Sequence, residues 1–282
     1  MNLEAAAEYA RRHALEALLV RRDGETLFES YGEGFAAHDP HALYSGTKSF
    51  WGVLAVAAEG DGLLTLDERV GETFESWNAG LKARVTLRQL LSLTSGIGFG
   101  GLGNAVPSYE NALAVELKNV PGTTFTYGGI PLQVFGAVVA RKLAARGRGT
   151  PQEYLRERIL DNIGMTIAKW RTLPSGTQPL PTGAFVTAAE WATYGTFVLG
   201  GGASGDRRLV DPDGLAACFA GSAANPRYGL GWWLAPQIAP GVAYASGAGG
   251  QAMYLVPSER AVIVKFGRGG SYKHETFLKR LL

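Results

Sequence analysis

Residues 45–60, SGTKSFWGVLAVAAEG, open on a polar turn and run into an apolar stretch closed by glycine. The apolar residues recur at helical spacing, which predicts a buried helix from Ser45 to Glu59 with Ser45 at its N-terminus. Side chains three residues apart share one face of a helix, so Ser45 and Lys48 are neighbours able to share a proton. A lysine in so apolar a helix stands where Ala, Leu or Val is the usual structural choice. Burial and neighbouring cations disfavour the ammonium, and a neutral amine serves as a base near neutral pH. The helix N-terminus adds a backbone N–H and a dipole that stabilise an oxyanion. Chance alone supplies about one such Ser-Lys spacing in a chain of this length. The bland alternative is an exposed lysine on a half-buried helix.

Upstream, MNLEAAAEYARRHALEALLV begins as an amphipathic helix, and Asp23-Gly24 is a hairpin turn between two short strands. Downstream, from Asp61 to about Gly164, periodicity is helical wherever it exists, as in TLRQLLSL, ENALAVELK, GIPLQVFGAVVARKLAAR and QEYLRERIL. From Arg207 the texture changes to strand-like pieces, YGLGWWLA, VAYASG, QAMYLV and AVIVKFG, followed by a closing amphipathic helix, YKHETFLKRLL. The expectation is an α+β fold. Residues 1–60 and 165–282 build an antiparallel sheet flanked by helices, and residues 61–164 form an inserted all-helical region.

Two further stretches carry candidate chemistry. In PGTTFTYGG, residues 121–129, Tyr127 projects from a turn-rich loop, and loops hold catalytic groups disproportionately. A buried phenol beside a lysine relays a proton that a free phenol keeps; the plainer alternative is that Tyr127 packs on Phe125. In YASGAGGQ, residues 244–251, glycines within strand-like sequence mark the close approach of a backbone or a ligand, as in an oxyanion hole. An ordinary glycine hairpin reads the same way. Trp232 and Trp233 alternate on a strand, so one belongs to the core and the other to a cleft.

Composition and motif searches narrow the class. Hydrophobic residues at 46% and charged residues at 18% describe an ordinary globular protein, and 27 basic against 25 acidic residues give no footprint for nucleic acid. One cysteine, Cys218, forms no internal disulfide, and four scattered histidines have no zinc spacing. GFGGLG, residues 98–103, matches a dinucleotide-binding pattern, but it follows helix-like sequence and is read as a mobile cleft-side loop. No GxSxG elbow surrounds any serine. His38 and His41, just before the helix that opens at Ser45, are taken as surface or supporting residues. No cofactor or metal is implied, and no motif specifies an oligomeric state. The N-terminus carries acids where a secretory leader is basic, and no apolar run reaches the roughly 20 residues of a membrane span. Membrane partners are not expected and the expected location is cytoplasmic.

Taken in order, these segments resemble the serine β-lactamase and penicillin-binding-protein superfamily, specifically its class C β-lactamase-like branch, which includes esterases and 6-aminohexanoate-dimer hydrolases. YSGTKSF resembles the nucleophile motif, LLTLDERV and TLRQLLSLTSGI the helical-domain segments, and PGTTFTYGG the tyrosine motif. FVTAAEWATYGTFVLGGG, YGLGWW and ASGAGGQAMYLVPS follow in the same order, so residues 25–268 are covered. The resemblance implies a β-lactamase-like fold with the site in the cleft. It implies Ser45 as the acylated nucleophile, Lys48 as its proton acceptor and Tyr127 as the group that activates Ser45 or the deacylating water. The oxyanion hole is assigned to the N–H of Ser45 with one from Ser246 or Gly247, Gly247 preferred. Gly129, Trp232 and Trp233 are cleft candidates, and the loops at 98–108 and 173–183 shape the pocket.

Departures from the family pattern bear on substrate. Tyr127-Gly128-Gly129 lacks the asparagine of the usual Tyr-x-Asn, and Tyr244-Ala245-Ser246-Gly247 lacks the Lys or His that precedes Thr-Gly in antibiotic-processing members. Losing a charge-assisted contact costs roughly 1.5–3 kcal/mol in a desolvated site. The first expectation is therefore a serine hydrolase of small carboxylic esters or linear amides. A true β-lactamase or D-alanyl-D-alanine peptidase is the alternative; it requires a cation in the cleft, for which Arg268 is the candidate. A non-catalytic ligand-binding member is the other alternative, against which the retained Ser45, Lys48 and Tyr127 set speaks.

Overall fold

The strand-forming sequence lies at the two ends of the chain, and in the computed structural model, which describes residues 1–282, the two ends meet in one sheet. The strands are β1 (Leu15–Arg22), β2 (Glu25–Tyr31), β3 (His41–Ala42), β4 (Lys169–Trp170), β5 (Ala184–Val186), β6 (Ala203–Ser204), β7 (Arg207–Arg208), β8 (Trp233–Leu234), β9 (Ala243–Gly247), β10 (Gln251–Val256) and β11 (Ala261–Gly267). Six of them form an antiparallel sheet in the order β2-β1-β11-β10-β9-β8. Asp23 and Gly24, both at positive φ, make the tight turn between β1 and β2. β3, β5 and β4 make a small second sheet beside the turn that carries Ser45, and β6 and β7 a short ribbon. The molecule has the α+β architecture expected from the sequence, an antiparallel sheet built from both ends of the chain.

Both faces of the main sheet are covered, which is why its central strands read as nearly continuous apolar runs. On β11, Val262, Val264 and Phe266 join the larger core, which is packed against the helix Ala188–Leu199, while Ala261 and Ile263 turn to the other face. That second face is sealed by the helices Leu3–Arg11 and His274–Leu281, which also pack on one another. No helix of the chain is long and apolar enough to cross a membrane.

Two expectations about helices need correction. The helix expected from Ser45 opens as a 3-10 turn, Tyr44–Lys48, and becomes α-helical over Ser49–Gly60. Tyr44 enters it at a φ of 46°, a conformation that L-residues avoid, so the chain turns sharply just before Ser45. Between residues 61 and 164 no named strand occurs, but the segment is less helical than its periodicity implies. Its one long helix is Ile130–Ala145, entered through a proline in its first turn. The helix predicted over ENALAVELK stops at Leu113, because the N–H groups of Lys118 and Asn119 bond to the Gly96 carbonyl and Leu117 bridges Ile97. Tertiary backbone pairing there overrides local propensity.

Candidate active site

A 3-10 helix has three residues per turn, so side chains at i and i+3 eclipse one another. That geometry aligns Lys48 with Ser45: Lys48 Nζ donates to Ser45 Oγ at 2.9 Å and to the Pro181 carbonyl at 3.3 Å. Lys48 is 1% exposed, and burial pulls its ammonium from the ordinary 10.5 down to about 7. Near neutral pH a large share of the amine is unprotonated and able to take the Ser45 proton.

The wall that meets Lys48 is held in place from the helical region. The side chain of Gln133, fully buried on the long helix, donates to the Pro107 carbonyl at 2.7 Å and accepts from the Leu180 N–H at 2.9 Å. One amide thereby ties both rim loops to the same helix, with Pro181 following directly.

Tyr127 stands at the same point, its ring centroid 4.9 Å from Lys48 Nζ. The loop that carries it is pinned by the bonds of Thr126 N–H to Leu93 and of Gly129 N–H to Gly100. Burial raises the Tyr127 phenol above its ordinary 10, and the adjacent Ser45 hydroxyl partly offsets the shift. The ring stacks on Trp233 at 5.8 Å and meets Tyr228 edge-on at 6.3 Å.

Ser45, Lys48 and Tyr127 open on a cavity of about 500 Å³ that also takes in Tyr44, Trp233, Ser246 and Gly247. Gly101, Leu102, Gly103 and Val106 form one rim, Pro181 and Thr182 another. Both rims fall within the loops assigned to pocket shape, and GFGGLG borders the cleft. Trp232 is completely buried in the core and takes no part in the cleft, whereas Trp233, the first residue of β8, lines it. Gly129, a cleft candidate, does not line the cavity; it packs behind the wall against the Gly101 backbone.

Gly247 sits where β9 crosses the turn that leads into Ser45. A Cβ there would lie 2.1 Å from the Leu43 carbonyl oxygen, so only glycine lets the strand approach Ser45. The next residue, Ala248, also lines the cavity, and its N–H meets no acceptor within the chain. Arg268, the candidate cation, is absent from the cavity wall and pairs with Glu16. Glu16 also holds His41 Nδ1 at 2.8 Å, and His41 is buried against Phe266 rather than on the surface. His38 is exposed. His274, which carried no sequence signal, reaches the cavity from the last helix and lies 2.9 Å from Ser246 Oγ. No three His, Cys, Asp or Glu side chains gather as a metal site.

A family model described as β-lactamase matches residues 6–274. The chain belongs to the β-lactamase family. Solved structures share its fold at low sequence identity. A Bacteroides dorei protein assigned to the β-lactamases superposes with a TM-score of 0.81 at 19% identity, over 99% of this chain and 96% of the other. A Bacillus anthracis protein assigned as a 6-aminohexanoate-dimer hydrolase gives 0.78 at 18% identity, over 96% and 78%. A family VIII carboxylesterase gives 0.74 at 15%, over 98% and 94%. No curated protein sequence matches the chain. The missing asparagine of the β-lactamase tyrosine motif now has a steric account: a Cβ on Gly129 would lie 2.0 Å from the Gly101 carbonyl oxygen. The glycine loop occupies the space that a side chain at that position would need.

Proposed function

We propose that this β-lactamase-family chain is a serine hydrolase that works through an acyl-enzyme on Ser45 and cleaves small carboxylic esters or linear amides. The observation that carries the reading is the 2.9 Å contact between Ser45 Oγ and a fully buried amine whose charge is disfavoured. In the first half-reaction neutral Lys48 takes the Ser45 proton as Oγ attacks the substrate carbonyl carbon. The negative oxygen that forms is met by the N–H of Ser45, at the start of its helix, and by the free N–H of Ala248. Ala248 thus replaces Ser246 and Gly247 as the second donor, since Gly247 is a ladder residue opposite Gln251. Collapse expels the alkoxide or amine, which leaves with the proton delivered from Lys48 through the Tyr127 hydroxyl. Water then attacks the acyl carbon, gives its proton to the same pair, and Ser45 is released with its hydroxyl restored.

Ester or linear-amide substrates are favoured over penicillins because Lys48 is the sole lysine or arginine on the cavity wall, and it is committed to Ser45. A carboxylate-bearing substrate finds no second cation there. The fold is shared with a carboxylesterase and with a protein assigned as a 6-aminohexanoate-dimer hydrolase, in keeping with this choice. Hydrolysis of short-chain p-nitrophenyl esters, run beside intact-protein mass after exposure to a penicillin, tests it. Ester turnover with little penicillin adduct is the expected result; a stable penicillin adduct without ester turnover would reverse the choice.

A further inference from the structure

A continuous chain of polar groups runs from the cavity into the core beneath the last helix. Ser246 Oγ is 2.9 Å from His274 Nε2, His274 Nδ1 is 2.8 Å from the Tyr254 hydroxyl, and that hydroxyl is 2.7 Å from the Tyr272 hydroxyl. Ser246 and His274 line the cavity, while Tyr254 and Tyr272 are buried.

The inner end sets the direction of every bond. The Tyr272 hydroxyl has a single partner, Tyr254, and a buried O–H left without an acceptor is heavily penalised. Tyr272 therefore donates to Tyr254, and Tyr254 donates to His274 Nδ1. The ring must carry its proton on Nε2, which donates to Ser246 Oγ. With that oxygen already accepting, the Ser246 O–H is free to point into the cavity.

We propose that Ser246, held by His274 as a positioning residue, is the donor that recognises a neutral oxygen acceptor on the substrate, an ether, hydroxyl or carbonyl oxygen remote from the bond being cleaved. The proposal rests on the reading of this cavity as the place where esters or amides bind. Three features make the acceptor neutral. His274 is held uncharged, its ordinary 6.5 pushed down to about 4 by burial and by the nearby Lys265 ammonium. The other groups around the ring are aromatic: Tyr244 stacks on it at 4.8 Å, and Tyr254 and Tyr272 meet it edge-on. Lys265 itself is fully buried, with Nζ 4.2 Å from the Tyr272 ring centre, and is not on the cavity wall.

Two measurements test this without requiring turnover. ¹⁵N NMR of histidine-labelled protein, with His274→Gln to assign the resonance, should show a neutral His274 protonated on Nε2 at pH 7. In Ser45→Ala protein, NMR titration compares methyl 4-methoxybutanoate with methyl hexanoate, which has a methylene in place of the ether oxygen. The affinity ratio, ether over hydrocarbon, should fall about fivefold on adding Ser246→Ala and on adding His274→Leu, the worth of one neutral hydrogen bond. A ring protonated on Nδ1, an imidazolium at pH 7, or a ratio unmoved by Ser246→Ala would overturn the proposal. Failure of the hydrolase reading would appear instead as absent ester turnover in the native chain, leaving both results interpretable.

Discussion

Replacing Lys48 by methionine should make the protein more stable as it makes it inactive. The folded chain holds this amine at about 7, against an ordinary 10.5, because the ammonium is buried. At pH 6 both folded and unfolded chains carry the charge, and the fall in pKa corresponds to a penalty of about 5 kcal/mol on the folded state. As pH rises above about 7, the folded amine loses its proton while the unfolded one keeps it until pH 10.5, so the unfolded state binds more protons and stability increases. By pH 9 the remaining penalty is about 2 kcal/mol. Methionine has no charge to bury but forfeits the bonds to Ser45 Oγ and the Pro181 carbonyl, a loss of about 1–3 kcal/mol. The net gain at pH 6 is thus on the order of 2–4 kcal/mol, shrinking to near zero by pH 9. Urea titrations of both proteins at pH 6 and pH 9, followed by circular dichroism, measure the two gaps. A variant no more stable than the native chain at pH 6, or a gap that fails to narrow by pH 9, would refute the claim that a disfavoured charge sits beside Ser45.

The same amine governs the acid limb of catalysis: log kcat/KM for a p-nitrophenyl ester should rise with unit slope and level off above about pH 7, and a profile flat from pH 5 to 9 would exclude Lys48 as the base. Tyr127→Phe keeps the stack on Trp233 and should leave the melting temperature in place while lowering kcat/KM by about 10²- to 10⁴-fold; steady-state kinetics with a parallel thermal melt separate the two effects. Gly247→Ala drives a Cβ against the Leu43 carbonyl and should cost about 1–3 kcal/mol in a urea titration, with ester hydrolysis reduced because the Ser45 turn must shift.

The contact between Ser45 and Lys48 was legible because its signal is local. Three residues separate Ser45 from Lys48, and the helix that carries them is set by its own apolar period. The sheet was legible for a related reason: apolar runs at both ends of the chain each need a partner, and β1 lies against β11. Short-range pattern says nothing about what arrives from a distance. YKHETFLKRLL reads as an amphipathic helix, and that His274 turns toward Ser246, 28 residues earlier, follows only from how the helix docks on the sheet. Arg268 was offered as a cleft cation, yet Glu16 on the first strand claims it. Gly129 looked like cleft lining until the backbone of the glycine loop proved to fill the space beside it. Likewise the unpaired N–H of Ala248, just past the β9–β10 ladder, is a property of strand register that spacing does not reveal.

The central claim is that Ser45 is the acylated nucleophile, and intact-protein mass spectrometry after exposure to a fluorophosphonate tests it most directly. The account predicts one adduct per chain, mapped by peptide analysis to Ser45 and absent in Ser45→Ala. No adduct on the folded native chain, or an undiminished adduct on Ser45→Ala, would contradict it.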